Sequence, residues 1–169
     1  FDSESVMILD LPPGTGDIQL TLTQKLRMSG AVIVTTPQDI ALADVRKGAD
    51  MFRKVNTPVL GVIENMSGLV IEGAVDGGIS SITINGENIE VDSSGKFRFK
   101  MDLFKTGGGK KESERLGVPL LGKIPISTEI MSATDAGVPL TQKDPDSPLG
   151  QIFVLVTSLF DPSGHWRPL

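Results

Sequence analysis

Asp10 closes an apolar run, Val6-Met7-Ile8-Leu9, and is followed by Leu11-Pro12-Pro13-Gly14-Thr15-Gly16-Asp17. An acid at the carboxyl end of a buried parallel strand stands where open α/β sheets bind ligands. There it can orient Mg²⁺, through water, beside nucleotide phosphates. Pro12 and Pro13 fix φ and stiffen the turn. Gly14 and Gly16 leave backbone N–H groups free to approach a γ-phosphate, which makes a switch that tells ATP from ADP. As a bare pattern the same residues also fit a strand followed by a Pro-Gly turn, with Asp10 serving only as a cap.

A switch of this kind has to be held by a sheet and its crossover helices. Ser5 to Asp10 is a short continuous apolar run, the mark of a strand buried on both faces. Asp17 to Met28 predicts a helix with Ile18, Leu22 and Leu26 on one face and Asp17 as its cap. Ala31 to Thr35 predicts the next buried strand. Asp39 to Lys54 predicts a second helix with Leu42, Val45, Ala49 and Phe52 aligned, and Pro58 to Ile63 a third strand. Strand and helix in alternation predict an α/β fold, a parallel sheet with flanking helices and right-handed crossovers.

The pattern breaks between 68 and 104, where helical periodicity disappears. Ser81-Ile82-Thr83-Ile84, Asn85-Gly86 and Glu87 to Val91 predict a hairpin, because Asn-Gly supplies the positive φ of a type I′ turn. Lys96 to Met101 alternates charged and apolar residues, a half-exposed strand. This segment, chiefly 76–101, reads as a β insertion. The α/β pattern resumes with a helix at Gly109 to Leu116, a strand at Pro119 to Ile124 and a helix at Thr128 to Ala136. A last helix starts at Ser147-Pro148, a cap followed by proline at the first helical position. Its apolar face is Leu149, Ile152, Phe153, Val156, Leu159 and Phe160.

The chain has 169 residues, enough for one domain with a sizeable core. A net charge of −5 argues against a general nucleic-acid binder. Cysteine is absent, which excludes disulfides and thiolate metal ligation in this chain. No apolar run approaches the ~20 residues of a membrane span. The chain opens at Phe1 without a leader pattern, and it is expected to be a cytoplasmic fragment whose natural N-terminus lies upstream.

Four stretches resemble one family: ILDLPPGTGD, GAVIVTTPQDIALADVRKGADMFRKV, PVLGVIENMS and GGGKKESERLGVPLLGKIP. They are similar to the C-terminal half of the Mrp (ApbC-type) P-loop ATPases, iron–sulfur cluster carriers related to MinD and to the nitrogenase iron protein. The resemblance spans about 1–67 and 103–150. It implies a P-loop NTPase domain, of which 1–169 is the C-terminal part with 68–104 inserted. It also implies ATP and Mg²⁺ as cofactors, a homodimer, and iron–sulfur proteins as clients, with no nucleic acid or membrane partner. Asp10 would be the Mg²⁺-organising and catalytic acid, with Gly14 and Gly16 in the switch. Asn65 would contact adenine, its amide offering both a donor and an acceptor. Without the family, an Asn at a strand end bonding its own turn serves equally well. The Ile124-Pro125-Ile126 loop would form the other wall of the adenine pocket.

Two family features are missing. Gly107-Gly108-Gly109-Lys110-Lys111 lacks the Ser/Thr of a Walker A loop, and Phe104 falls where its first glycine belongs, so it reads as the opening of a helix. The cysteine pair that would hold a 4Fe–4S cluster falls on Ile71 and Ala74, which cannot ligate iron. The chain alone is therefore expected neither to hydrolyse ATP nor to hold a cluster through that motif. A non-catalytic scaffold on the same fold and a MinD/ParA-like positioning ATPase are the alternatives. His165 and Trp166, in the proline-rich tail, read as surface and packing residues. Lys96 to Lys100 with Phe97 and Phe99 reads as a two-faced strand rather than a nucleic-acid face.

Overall fold

In the computed structural model, residues 6–12, 16–104 and 107–158 are described. The sheet is built on β1 (Ala31–Thr35), β2 (Val59–Ala74) and β6 (Leu120–Ile126), with β1 and β6 both parallel to β2. Their β-branched and apolar runs suit strands covered on both sides. Helices α2 (Asp39–Lys54) and α3 (Gly108–Leu116) cover one face. There Ile33, Ala49, Met51, Phe52 and Val62 form the main core cluster. Helix α6 (Pro148–Ser158) packs against β6, and a smaller cluster of Ala133, Leu140 and Leu149 joins it to α4 (Thr128–Asp135) and the short α5 (Leu140–Lys143). Parallel strands with helices on both sides are the architecture the sequence predicts.

The caps at the C-terminal end follow sequence chemistry. Ser127 accepts from Glu129 N at 3.2 Å to cap α4, and Ser147 Oγ accepts from Gly150 N at 3.0 Å ahead of α6. On α6, Leu149 is buried and Ile152 and Phe153 pack against the cluster, as expected. Leu159 and Phe160 lie outside the described residues.

Two expectations fail near the N-terminus. Residues 6–10 form no strand and lie exposed, Ile8 at 80%. A strand buried on both faces needs ladder partners, and none of the sheet strands pairs with this segment. Helix α1 runs Asp17–Lys25, three residues shorter than predicted, and it buries Gln19 and Thr23 instead of the apolar face. The Gln19 amide donates to the Pro12 carbonyl, and Thr23 Oγ1 donates to Gln19 O at 2.9 Å. Ile18 is 68% exposed. The four-residue period defines a face but not what stands opposite it. Asp17 is the first helical residue, with Gly16 in the cap position. Its charge still suits a helix N-terminus.

The strand predicted at Pro58 to Ile63 runs on into the segment predicted as the β insertion. Strand β2 does not stop at Ile63 but runs 16 residues to Ala74. Its far half, Leu69–Ala74, pairs antiparallel with β5 (Lys96–Met101). Between the halves lies a bulge where Met66 has φ 55° and Gly68 φ 123°. Such a bulge re-aims a strand without ending it, which is why Asn-Met-Ser-Gly reads as a loop in sequence. The predicted hairpin is present as β3 (Ser81–Ile84) and β4 (Glu87–Glu90), turning at Asn85 (φ 51°) and Gly86 (φ 84°). Both φ values are positive, as a type I′ turn requires.

Candidate functional site

The carboxyl ends of β1 and β6 and the end of the parallel half of β2 meet on one edge. In the ladder Thr35 lies beside Glu64, Glu64 beside Lys123, and Asn65 beside Ile124. This is the edge at which parallel sheets hold ligands. Alternation along β2 sends Glu64 toward α3 and Asn65 to the opposite face.

The predicted adenine residues are thus brought together, with a correction. Ile124, Pro125 and Ile126 lie inside β6 rather than in a loop. Alternation then places Pro125, which is buried, on the face opposite Ile124 and Ile126. Asn65 Oδ1 accepts from Met66 N at 2.9 Å, so the amide oxygen is committed to its own turn. Its amide nitrogen makes no hydrogen bond among the described residues and remains available as a donor.

Of the predicted phosphate-sensing residues, Asp10 and Gly16 belong to the segment leading into α1 rather than to a sheet strand. Asp10 is exposed in the segment before α1 and makes no ion pair among the described residues. Gly16 precedes α1 with φ −73°, a conformation open to any residue. Gly14 lies outside the described residues, as do His165 and Trp166. Gly107 to Gly109 open α3, as the sequence reading of a helix start requires.

Glu64 is the residue that sequence reasoning passed over. It is 2% exposed, and its Oε2 accepts from Gly109 N at 2.6 Å. The carboxylate sits at the N-terminal end of α3, where the helix dipole favours an anion. Lys123 Nζ stands 3.7 Å from its other oxygen. A buried acid with no partner would be costly, so this pairing is what permits Glu64 inside the sheet. An acid ending an apolar strand was the only signal for it, and the neighbouring Asn65 drew the functional reading instead. On α3 itself, Glu112 is buried, 3.4 Å from Arg46 Nε and 2.8 Å from Arg115 Nε. The Glu112 hydrogen bond raises the Arg115 pKa above its already high ordinary value.

Ile71 and Ala74 are part of the ladder with β5, opposite Phe99 and Lys96. Three positions apart on a strand, they face opposite sides. Ile71 shares the apolar face with Phe97 and Phe99, and Ala74 the charged face with Lys96, Arg98 and Lys100. No group of three or more His, Cys, Asp or Glu side chains suited to a metal occurs among the described residues. The donor set here therefore does not fit an iron–sulfur cluster. No helix among the described residues is long and apolar enough to cross a membrane.

Comparison with known proteins gives a consistent picture. A family model described as ParA, NUBPL iron-transfer P-loop NTPase, matches residues 1–76 and 78–159. An iron–sulfur cluster carrier protein from Pseudomonas fragi is 45% identical over 147 residues, 87% of this chain and 43% of that protein. The iron–sulfur cluster transfer protein NUBPL of Mus musculus is 38% identical over 90% of this chain and 40% of its own length. The chain thus spans less than half the length of these relatives. Among solved structures, a nucleotide-binding protein in complex with ADP from Archaeoglobus fulgidus superposes with a TM-score of 0.54 at 28% identity, covering 80% of this chain and 46% of the other.

Proposed function

Because the chain belongs to the NUBPL iron-transfer P-loop NTPase family, we propose that it is the C-terminal part of a nucleotide-switched iron–sulfur cluster carrier. The observation that carries this reading is the near-continuous family match together with the β2–β6 pairing that sets Asn65 beside Ile124. In the longer protein, residues 1–169 complete one ATPase domain, with 68–104 inserted in it. ATP is the nucleotide, and the intact protein is a cytoplasmic ATP hydrolase that works as a homodimer and serves iron–sulfur client proteins.

Asn65 holds the adenine edge through its uncommitted amide nitrogen, against Ile126. Asp10 orients Mg²⁺ through water, and the ion neutralises charge on the transferring phosphoryl group. Gly14 and Gly16 bring backbone N–H groups to the γ-phosphate. The glycine run Gly107 to Gly109 supplies no cradle for the nucleotide's phosphates: the Gly109 N–H is already bonded to Glu64. The chain alone therefore does not turn over ATP. Its iron–sulfur cargo takes no ligand from positions 71 and 74.

Asp10→Asn in the full-length protein tests this assignment. Hydrolysis should fall roughly a hundredfold, in the range lost with a single electrostatic catalytic group, while ATP affinity changes little. Wild-type turnover in the variant would remove Asp10 from the site. A second reading, a non-catalytic scaffold, is favoured by the β2–β5 ladder occupying Ile71 and Ala74. Failure of the full-length protein to bind ATP would select it.

A further inference from the structure

A cleft of about 160 Å³ opens where the inserted β arm folds over the carboxyl ends of the parallel strands. Its floor is Glu64 and Ser67, and its walls include Lys100, Asp102, Phe104 and Lys123. Three unrelated signals converge on it. Ser67 is 6% exposed, and its hydroxyl has no hydrogen-bond partner among the described residues. A buried unpaired hydroxyl costs about 1–3 kcal/mol, so its persistence calls for a partner that the described residues do not supply. The backbone beside it is held in uncommon conformations at Met66 and Gly68, a pattern that gathers at functional sites. At Gly68 an added Cβ would lie 2.7 Å from Lys100 Cε and 3.3 Å from Asp102 Oδ1. That close approach carries the two charged side chains over the cleft.

The lining chemistry selects its ligand. Lys100 makes no ion pair among the described residues and offers a free ammonium. Lys123 offers another, shared with Glu64 at 3.7 Å. Ser67 offers a hydroxyl proton. These are donors for oxyanion oxygens. Glu64 already accepts from Gly109 N and pairs with Lys123, whereas the Asp102 carboxylate makes no hydrogen bond or ion pair among the described residues. A bare dianion would be repelled by Asp102, whereas an oxyanion that keeps one acidic proton can donate that proton to it. At about 30 Å³ of liquid volume per water the cleft has room for about five waters, enough for a five-atom oxyanion.

We propose that this cleft binds inorganic hydrogen phosphate, with Lys100, Lys123 and Ser67 donating to its oxygens and Asp102 accepting its P–OH. Sulfate carries no proton at neutral pH. A phosphomonoester, with its second pKa near 6, has lost its own. Both are discriminated against. The site uses neither Asp10 nor Asn65, so it stands or falls apart from the nucleotide reading.

Calorimetric titration of the chain with inorganic phosphate, sulfate and a phosphomonoester at about pH 7.5 tests it, with thermal unfolding as a second readout. The expected result is phosphate binding with sulfate and the monoester roughly tenfold or more weaker, one charged hydrogen bond's worth of discrimination. Lys100→Met, at an exposed position, should weaken phosphate by a similar factor. Asp102→Asn should bring phosphate and sulfate affinities toward each other. Ser67→Ala should unfold at the same or a higher temperature without ligand, because it removes an unsatisfied group, yet lose the upward shift that phosphate gives the wild type. The proposal is overturned by no phosphate heat or unfolding shift at about 10 mM, ten times a millimolar Kd. It is equally overturned by sulfate or monoester binding as tight as phosphate, or by an unchanged Lys100→Met.

Discussion

Val59–Asn65 and Leu69–Ala74 belong to one strand, β2, and live in two environments. The first half is flanked by parallel β1 and β6 and covered by α2 and α3, so Val62 is fully buried. The second half has β5 along one edge, with an apolar face of Ile71, Phe97 and Phe99 and a charged face of Lys96, Arg98 and Lys100. Even its most apolar residues are only half-buried. The difference shows that a β-branched sequence fixes extended backbone, while the number of layers packed on it fixes how much each side chain stabilises the fold.

Substitutions along β2 sharpen that contrast. The largest effect is expected for Glu64→Ala, which strands the Gly109 N–H and removes the anion at the N-terminus of α3. Loss of such a charged, buried hydrogen bond costs about 3 kcal/mol, measured by urea unfolding. A cost under about 1 kcal/mol would show that water replaces the carboxylate. Next comes Val62→Ala. Deleting two fully buried methyl groups at about 0.8 kcal/mol each, plus a residual cavity, amounts to about 2 kcal/mol. Ile71→Ala on the half-buried arm should cost about 1 kcal/mol or less. Equal losses at 62 and 71 would break the comparison.

The smallest effect concerns the turn that leads into β5. Asp92 Oδ1 accepts from Ser94 Oγ at 2.7 Å, Ser94 N at 2.8 Å and Lys96 N at 2.9 Å. Hydrogen bonds from Ser94 first, then Lys96, hold its carboxyl below the ordinary carboxylate pKa. A group whose folded pKa is depressed adds stability above its unfolded pKa and loses it as pH falls through the folded value. Amide exchange at Ser94 and Lys96 should therefore quicken as pH drops below about 4, once the intrinsic pH dependence of exchange is divided out. Asp92→Asn should flatten that dependence. A variant with an unaltered pH profile would detach the turn from Asp92.

Much of this molecule was written in local sequence. The Ala31–Thr35 run, the 16-residue amphipathic α2, the Asn85-Gly86 hairpin and the Ser127 and Ser147 caps each rest on interactions within a few residues, so spacing alone determined them. The four family-like stretches likewise identified the chain's relatives. What sequence could not decide was anything that depends on a distant partner. Residues 6–10 have strand composition but no ladder. The Ile18 face has helical period but nothing opposite it, and Ile124 to Ile126 became strand because β2 stood beside them. The bulge at Met66–Gly68, which joins two strands that read as one strand and a loop, is likewise settled only by β5 and β6 on either side. Glu64 is the sharpest case. In sequence it is one acid after an apolar run. Only the tertiary fold brings Gly109, 45 residues later, within 2.6 Å and makes that acid a buried, paired centre, because burying a charge is affordable only where donors from elsewhere in the chain converge on it.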